Sequence, residues 1–256
     1  MSRHDVTPES SGSAQADGAS SYEEMPRDWQ RALAVVAHPD DIEYGLAGAV
    51  ARWTDEGREI AYLLVTRGEA GIDSMYPEQA AAVRSEEQRA SAALVGVHDV
   101  EFLDHPDGLI EYGVPLRRDI AAAIRRYRPE MVLSGNHHPV WPGGGFNTAD
   151  HRHVGQAVLD AANDAGNRWL FPDVGPAPWA GVRYVALASS PSSTHAVEVG
   201  ATLDRAIASL QAHAAYLDAL GDHPMADAET TLRGMAEDTG ARFGGRLASA
   251  FELFQM

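Results

Sequence analysis

The sequence contains no cysteine. That excludes a disulfide framework, a zinc–thiolate site and a cysteine nucleophile, and it fits a reducing compartment, so a cytoplasmic location is the expectation. Basic residues are scarce: 20 Lys and Arg stand against 37 Asp and Glu, for a formal charge of -17. A field of that sign repels phosphate and argues against nonspecific nucleic-acid or anionic-membrane partners. The brief cluster at Arg125, Arg126 and Arg128 does not offset it and reads as a solvated helix end. No apolar run is long enough to span a bilayer. No internal repeat stands out. WPGGGF at 141–146 is not followed by the Lys-Ser or Lys-Thr of a phosphate loop, and Gly45 and Gly48 lack the third glycine of a dinucleotide fingerprint. What remains is an acidic chain without a nucleic-acid or membrane signature.

What is present is concentrated at 31–43, RALAVVAHPDDIE, where an apolar run ends in one imidazole and three carboxylates. Residues 31–37 read as a buried strand, short and nearly continuous in apolar character. In open α/β sheets the carboxyl end of a strand is where ligands bind, so the position of the polar cluster is informative as well as its content. Pro39 keeps His38 extended and is itself suited to the first helical position. His38 and Asp41, three apart, converge across this turn and leave Asp40 aimed elsewhere. Imidazole plus carboxylate suits zinc, with iron, cobalt or manganese as alternatives, and a catalytic site needs a third protein ligand from another segment. The competing reading treats Asp40, Asp41 and Glu43 as favourable charges at a helix start. For any one of them that reading is the better one; for the set beside a buried strand it is the weaker one, because so many polar groups are costly there.

Elsewhere the pattern alternates. Helices are expected at 44–56, 78–95, 116–127, 151–165 and 203–220, and strands at 60–66, 100–103, 131–134, 184–189 and 196–199. Such alternation implies an α/β fold of three layers, a largely parallel sheet with helices on both faces. Residues 1–26, rich in Ser, Gly, Ala and acids, resemble a disordered tail rather than a signal peptide, leaving 27–256 as a single domain. The long connection at 136–150 has the glycines of a mobile or closely approached loop, and Trp141 and Phe146 are candidates to line a pocket.

AHPDDIE at 37–43 resembles the signature of the PIG-L or LmbE-like de-N-acetylase family, named for N-acetylglucosaminyl-phosphatidylinositol and including deacetylases and amidases of mycothiol and bacillithiol metabolism. The likeness continues in order through VTRGEAG at 65–71, RSEE at 84–87, VEFLDHPDG at 100–108, RPEMVLS at 128–134, ADHRHVGQAVLDA at 149–161 and THAVEV at 194–199. It implies a Rossmann-like sheet. It also implies that His38, Asp41 and His151 bind zinc, that Asp40 is the general base, that Asp150 supports the metal ligands, and that Glu69 and Arg84 lie at the substrate pocket. The implied reaction is zinc-dependent hydrolysis of an amide, most simply N-deacetylation of an acetylated amino sugar or related molecule. A thiol-conjugate amidase and a metal-retaining protein without catalysis are the alternatives.

One departure bears on mechanism. Where the family has a pattern resembling Gly-Tyr-Gly-His-Pro-Asp-His, this chain carries Phe146 in place of the Tyr and Thr148 in place of the first His. That His serves relatives as acid or oxyanion donor. Asp40 alternating as base and acid, or one of His137, His138, His153 and His195, would have to replace it.

Overall fold

The computed structural model describes residues 21–256. In chain order, β1 is Glu23–Glu24, β2 Arg31–Val36, α1 Asp41–Gly45, α2 Ala47–Asp55, β3 Glu59–Leu64, α3 Pro77–Leu94 and β4 Asp99–Phe102. Then come α4 Val114–Tyr127, β5 Met131–Ser134, α5 Ala149–Asp164, β6 Tyr184–Ala188, β7 His195–Glu198, α6 Leu203–Gln211, α7 Ala214–Leu220, α8 Ala228–Gly240 and β8 Ala248–Gln255. The eight strands form one sheet in the order β1-β7-β8-β6-β5-β2-β3-β4. All neighbouring pairs are parallel except those of β8, which runs antiparallel between β6 and β7. The expected three-layer, Rossmann-like α/β arrangement is therefore the observed one.

The period-two geometry of a strand makes β2 the spine of two cores. Leu33, Val35 and Ala37 face α4 and α5. Ala32, Ala34 and Val36 face the layer built from α2, α3, α6 and α8. Both faces are covered, which is why the strand reads as a continuous apolar run. From β2 the chain winds outward through β3 and β4, then returns to lay β5 on the other side of β2. The carboxyl ends of β2 and β5 thus flank the switch point of the sheet, where a crevice is obligatory.

Four expectations need correction. Glu23 and Glu24 pair with His195 and Ala196, and Met25 is buried, so ordered chain begins before 27; the rest of the expected tail, 1–20, lies outside the described residues. The helix after the first strand starts at Asp41, not at Pro39 or Tyr44, because Asp40 adopts φ 93 and turns the chain before the helix can begin. The expected helix at 203–220 breaks at Ala212–His213, where buried His213 turns inward to within 3.4 Å of Glu43. Finally, Arg125 is not part of a solvated helix end.

The Arg125 guanidinium is buried and donates to the carbonyls of Ala165, Asn167, Leu170 and Phe171 at 2.8–3.1 Å. It gathers the irregular segment after α5, whose backbone has no ladder to satisfy it. Replacing it with Met should leave several buried carbonyls without donors and lower stability by about 3 kcal/mol or more. A denaturant midpoint unchanged in Arg125→Met would contradict this.

Candidate metal centre and active site

His38 follows the last pairing residue of β2 and Asp41 opens α1, so the turn between them places both at the sheet's carboxyl edge. Asp41 Oδ2 accepts the His38 backbone N–H at 2.9 Å, which closes the turn. His151 arrives from the first turn of α5, with Nε2 3.0 Å from Asp41 Oδ1. His38 Nδ1 lies 3.7 Å from Asp41 Oδ2. These three residues each offer a ligand atom within 4.8 Å of the others. The three residues brought together from the sequence are thus neighbours in space.

The outward ring nitrogens are also fixed. His38 Nε2 lies 3.0 Å from Asp107 Oδ1 and 3.1 Å from Asp150 Oδ2. Asp150 in turn accepts the backbone N–H groups of Gly108 and Ile110 at 2.8 and 3.1 Å, which locks the Asp107–Gly108 turn against α5. His151 Nδ1 lies 3.0 Å from both Asn147 Oδ1 and Thr148 Oγ1. Imidazoles with one nitrogen on a carboxylate or carboxamide and the other facing a shared carboxylate are the arrangement metal sites use to set tautomer and direction. The residues present therefore fit a divalent transition metal held by His38 Nδ1, Asp41 and His151 Nε2.

The electrostatics describe a site awaiting positive charge. Burial pushes Asp41 up, yet His151 and His38 hold its carboxyl well below the usual range. Burial opposes charge on His38, but Asp107, Asp150 and Asp41 raise it well above its ordinary value, and Asp41 likewise raises His151 against burial. The acidic neighbours thus favour the protonated imidazoles, and a metal on the same nitrogens must displace those protons. Zinc affinity should consequently rise with pH through the range in which the two imidazoles lose their protons, with protons released on binding. Calorimetry in buffers of different ionisation enthalpy measures the release; uptake of zinc with no proton release would contradict it.

Asp40 takes no part in the cluster of candidate ligands. Its left-handed backbone turns the side chain toward α3, where Arg84 NH2 lies 3.3 Å from Oδ1 and the Gln88 side chain accepts the Asp40 N–H at 3.0 Å. A non-glycine residue at positive φ costs about 1 kcal/mol or more, a strain that clusters at functional sites. Arg84 is buried, donates to the carbonyls of Pro39 and Gly68, and stacks over Tyr216 at 4.6 Å. A Cβ on either Gly68 or Gly71 would collide with its guanidinium, which explains the glycines of VTRGEAG. Burial pushes the Asp40 carboxyl up to about 6, against Arg84 and with help from the Asp41 charge. Beneath it, Gln88 and Ser91 donate to buried Glu43 at 3.0 and 2.6 Å.

A cavity of about 1060 Å³ opens over these groups, lined among others by His38, Asp40, Asp41, His151, Trp141 and Tyr216. Arg84 and Asp107 also line it. Glu69 points instead to backbone, accepting from the N–H groups of Asp107 at 2.9 Å and Arg67 at 3.3 Å. Trp141 packs edge-on against His151, 5.4 Å between ring centres, whereas Phe146 is 71% exposed. His153 bonds the Ile110 carbonyl, His195 sits on β7, and His138 pairs with Glu252 at 2.7 Å. Sequence reasoning assigned no role to Asp107, Asn147, Gln88 or Tyr216. For Asp107 a signal existed in the Asp-Gly turn; for Tyr216 none did, because the break at His213 that directs α7 toward the site has no local signature.

A three-layer sheet with two histidines and a carboxylate converging at its switch point defines a candidate metal-dependent enzyme. Residues 33–162 match the PIG-L family, GlcNAc-PI de-N-acetylase, and the chain belongs to that family. It is 35% identical to diacetylchitobiose deacetylase of Thermococcus kodakarensis over 54% of this chain and 51% of that protein. The chain spans about half the length of the curated relatives it matches. Among solved structures, N,N'-diacetylchitobiose deacetylase from Pyrococcus horikoshii is similar with a TM-score of 0.79 at 23% identity, over 89% of this chain and 84% of that one. GalB, the 4-carboxy-2-hydroxymuconate hydratase from Pseudomonas putida, is similar with a TM-score of 0.67 at 20% identity, over 89% of this chain and 96% of that one. At these identities the two structures speak for the fold alone, and the hydratase makes plain that the reaction must be argued from the site.

Proposed function

We propose that this protein is a zinc-dependent amide hydrolase that removes the acetyl group from an N-acetylated amino sugar or a related small molecule. The observation that carries the reading is the division of labour in one turn: Asp41 faces two imidazoles while its neighbour Asp40, held apart by Arg84, faces the same cavity. His38, Asp41 and His151 would hold the ion, which when bound acidifies a water and polarises an amide carbonyl. Asp107, Asp150 and Asn147 keep the two imidazoles in register. Asp40 accepts the proton of the attacking water and returns it to the nitrogen as the carbon–nitrogen bond breaks, releasing acetate and a free amine. A carboxyl raised toward neutrality by burial suits both halves of that transfer. Arg84 holds Asp40 at the cavity, and Glu69 shapes the wall through Asp107.

Acetate release from N-acetylglucosamine oligosaccharides by the zinc-loaded protein tests the reading. Release supports it. Activity confined to bulky thiol conjugates would favour the amidase alternative, and zinc binding without hydrolysis of either would leave a binding protein. No helix of the described residues is long and apolar enough to cross a membrane.

Thr148 stands where the family pattern it resembles has a histidine, and its hydroxyl is 3.0 Å from His151 Nδ1. If Asp40 serves as both base and acid, Thr148→His should raise turnover severalfold or extend activity to higher pH, as a second acid shares the load. A pH–rate profile decides it. No gain in Thr148→His, together with a sharp loss in one of His137→Ala, His138→Ala, His153→Ala or His195→Ala while the ion on His38, Asp41 and His151 is retained, would rule out the single-carboxylate scheme.

A further inference from the structure

Three clusters of metal-capable side chains occur among the described residues, and one of them lies apart from the catalytic groups: His137, His138 and Glu252. We propose that these three residues form a second site for a divalent transition metal, zinc foremost. His137 and His138 follow β5 at the start of the long loop, while Glu252 reaches them from antiparallel β8. One ligand atom from each lies within 4.8 Å of the others, and two imidazoles with one carboxylate are a set that binds zinc and leaves a position for water. All three residues are partly exposed, so an ion has a path in.

Several observations set this cluster apart from an ordinary ion pair. His138 Nε2 and Glu252 Oε2 are 2.7 Å apart and would satisfy each other alone, yet the His137 ring is drawn in beside them, 4.2 Å from the His138 ring centre. Its Nδ1 is buried without a hydrogen-bond partner. An orphaned buried ring nitrogen is a cost that calls for a reason, and an ion or water is the usual one. Burial, together with the neighbouring His138, lowers the pKa of His137. Ser190 Oγ donates to Glu252 Oε2 at 2.6 Å, which fixes the carboxylate from behind.

The site would clamp the loop to the far side of the sheet. Asn136 accepts the His138 N–H at 2.9 Å, and Asn147 donates to the carbonyls of Asn136 and His138 at 2.8 and 3.0 Å. The same Asn147 carboxamide contacts His151 Nδ1, so an ion on His137 and His138 stiffens the support of a residue in the catalytic cluster. Its role is to order the loop and not to take part in hydrolysis.

The test is a zinc count on the folded protein after equilibration with buffered micromolar zinc. His137→Ala leaves the His138–Glu252 bond intact, and Glu252→Gln preserves shape, so neither should collapse the loop. The expected result is two zinc ions per wild-type chain and one in each variant. In His151→Ala, where only the second site remains, one ion is expected, falling to none when His137→Ala is added. Cobalt substitution in the His151→Ala protein should give a visible absorption band that His137→Ala abolishes. One zinc in the wild type, or equal content in the wild type and both variants, overturns the proposal; loss in His151→Ala without loss in His137→Ala leaves the catalytic reading standing and removes this one.

Discussion

Asp40→Asn should keep its zinc and lose about two to four orders of magnitude in turnover. The substitution preserves shape and the ability to accept from Arg84, whose guanidinium also rests on the carbonyls of Pro39 and Gly68. What it removes is the proton acceptor. The charge change also relieves a buried carboxylate beside Asp41, so the variant should fold at least as well as the wild type. Stability retained, metal retained and activity lost is a combination that a structural role for Asp40 cannot produce. Loss of zinc in parallel with activity would make Asp40 a ligand and move the base elsewhere.

The second large effect concerns the ligands themselves. His38→Ala, Asp41→Asn and His151→Ala should each lower zinc content by one ion per chain and abolish acetate release together, because two remaining ligands hold zinc poorly. The Asp41 change should be the most severe for folding, since its carboxylate closes the turn on the His38 N–H and faces both imidazoles. Full zinc content in His151→Ala would remove α5 from the metal centre. Asn147→Ala offers a graded version: it leaves all three ligands in place and removes the carboxamide beside His151 Nδ1, so zinc affinity should fall by about tenfold or more.

Much of this site was legible because its chemistry is written locally. The strand at 31–37 ends in His38 and Asp41, and a turn of fixed geometry suffices to bring them together. The direction of Asp40 also followed from spacing, although its positive φ did not. His151 needed the resemblance, since nothing in ADHRHVG says which distant strand its helix will face. The wholly long-range features were missed. β8 carries few strongly apolar positions in ASAFELFQ and is stabilised by lying between β6 and β7, a pairing no local pattern announces. Arg125 reads as surface charge in RRYR, yet the segment after α5 wraps its carbonyls around it. His213 sits at the break in an otherwise helical run, buried and 3.4 Å from Glu43, which is far away in sequence.

The account turns on one claim, that His38, Asp41 and His151 hold the ion on which amide hydrolysis depends. Its most direct test is to strip the protein with a chelator, add zinc back stepwise, and follow acetate released from an N-acetylglucosamine oligosaccharide in wild type and His151→Ala. The account predicts silence in the stripped protein, recovery on zinc addition in the wild type, and no recovery in His151→Ala at any zinc level that leaves it folded. Acetate release that survives stripping, or that returns in His151→Ala as it does in the wild type, would contradict it.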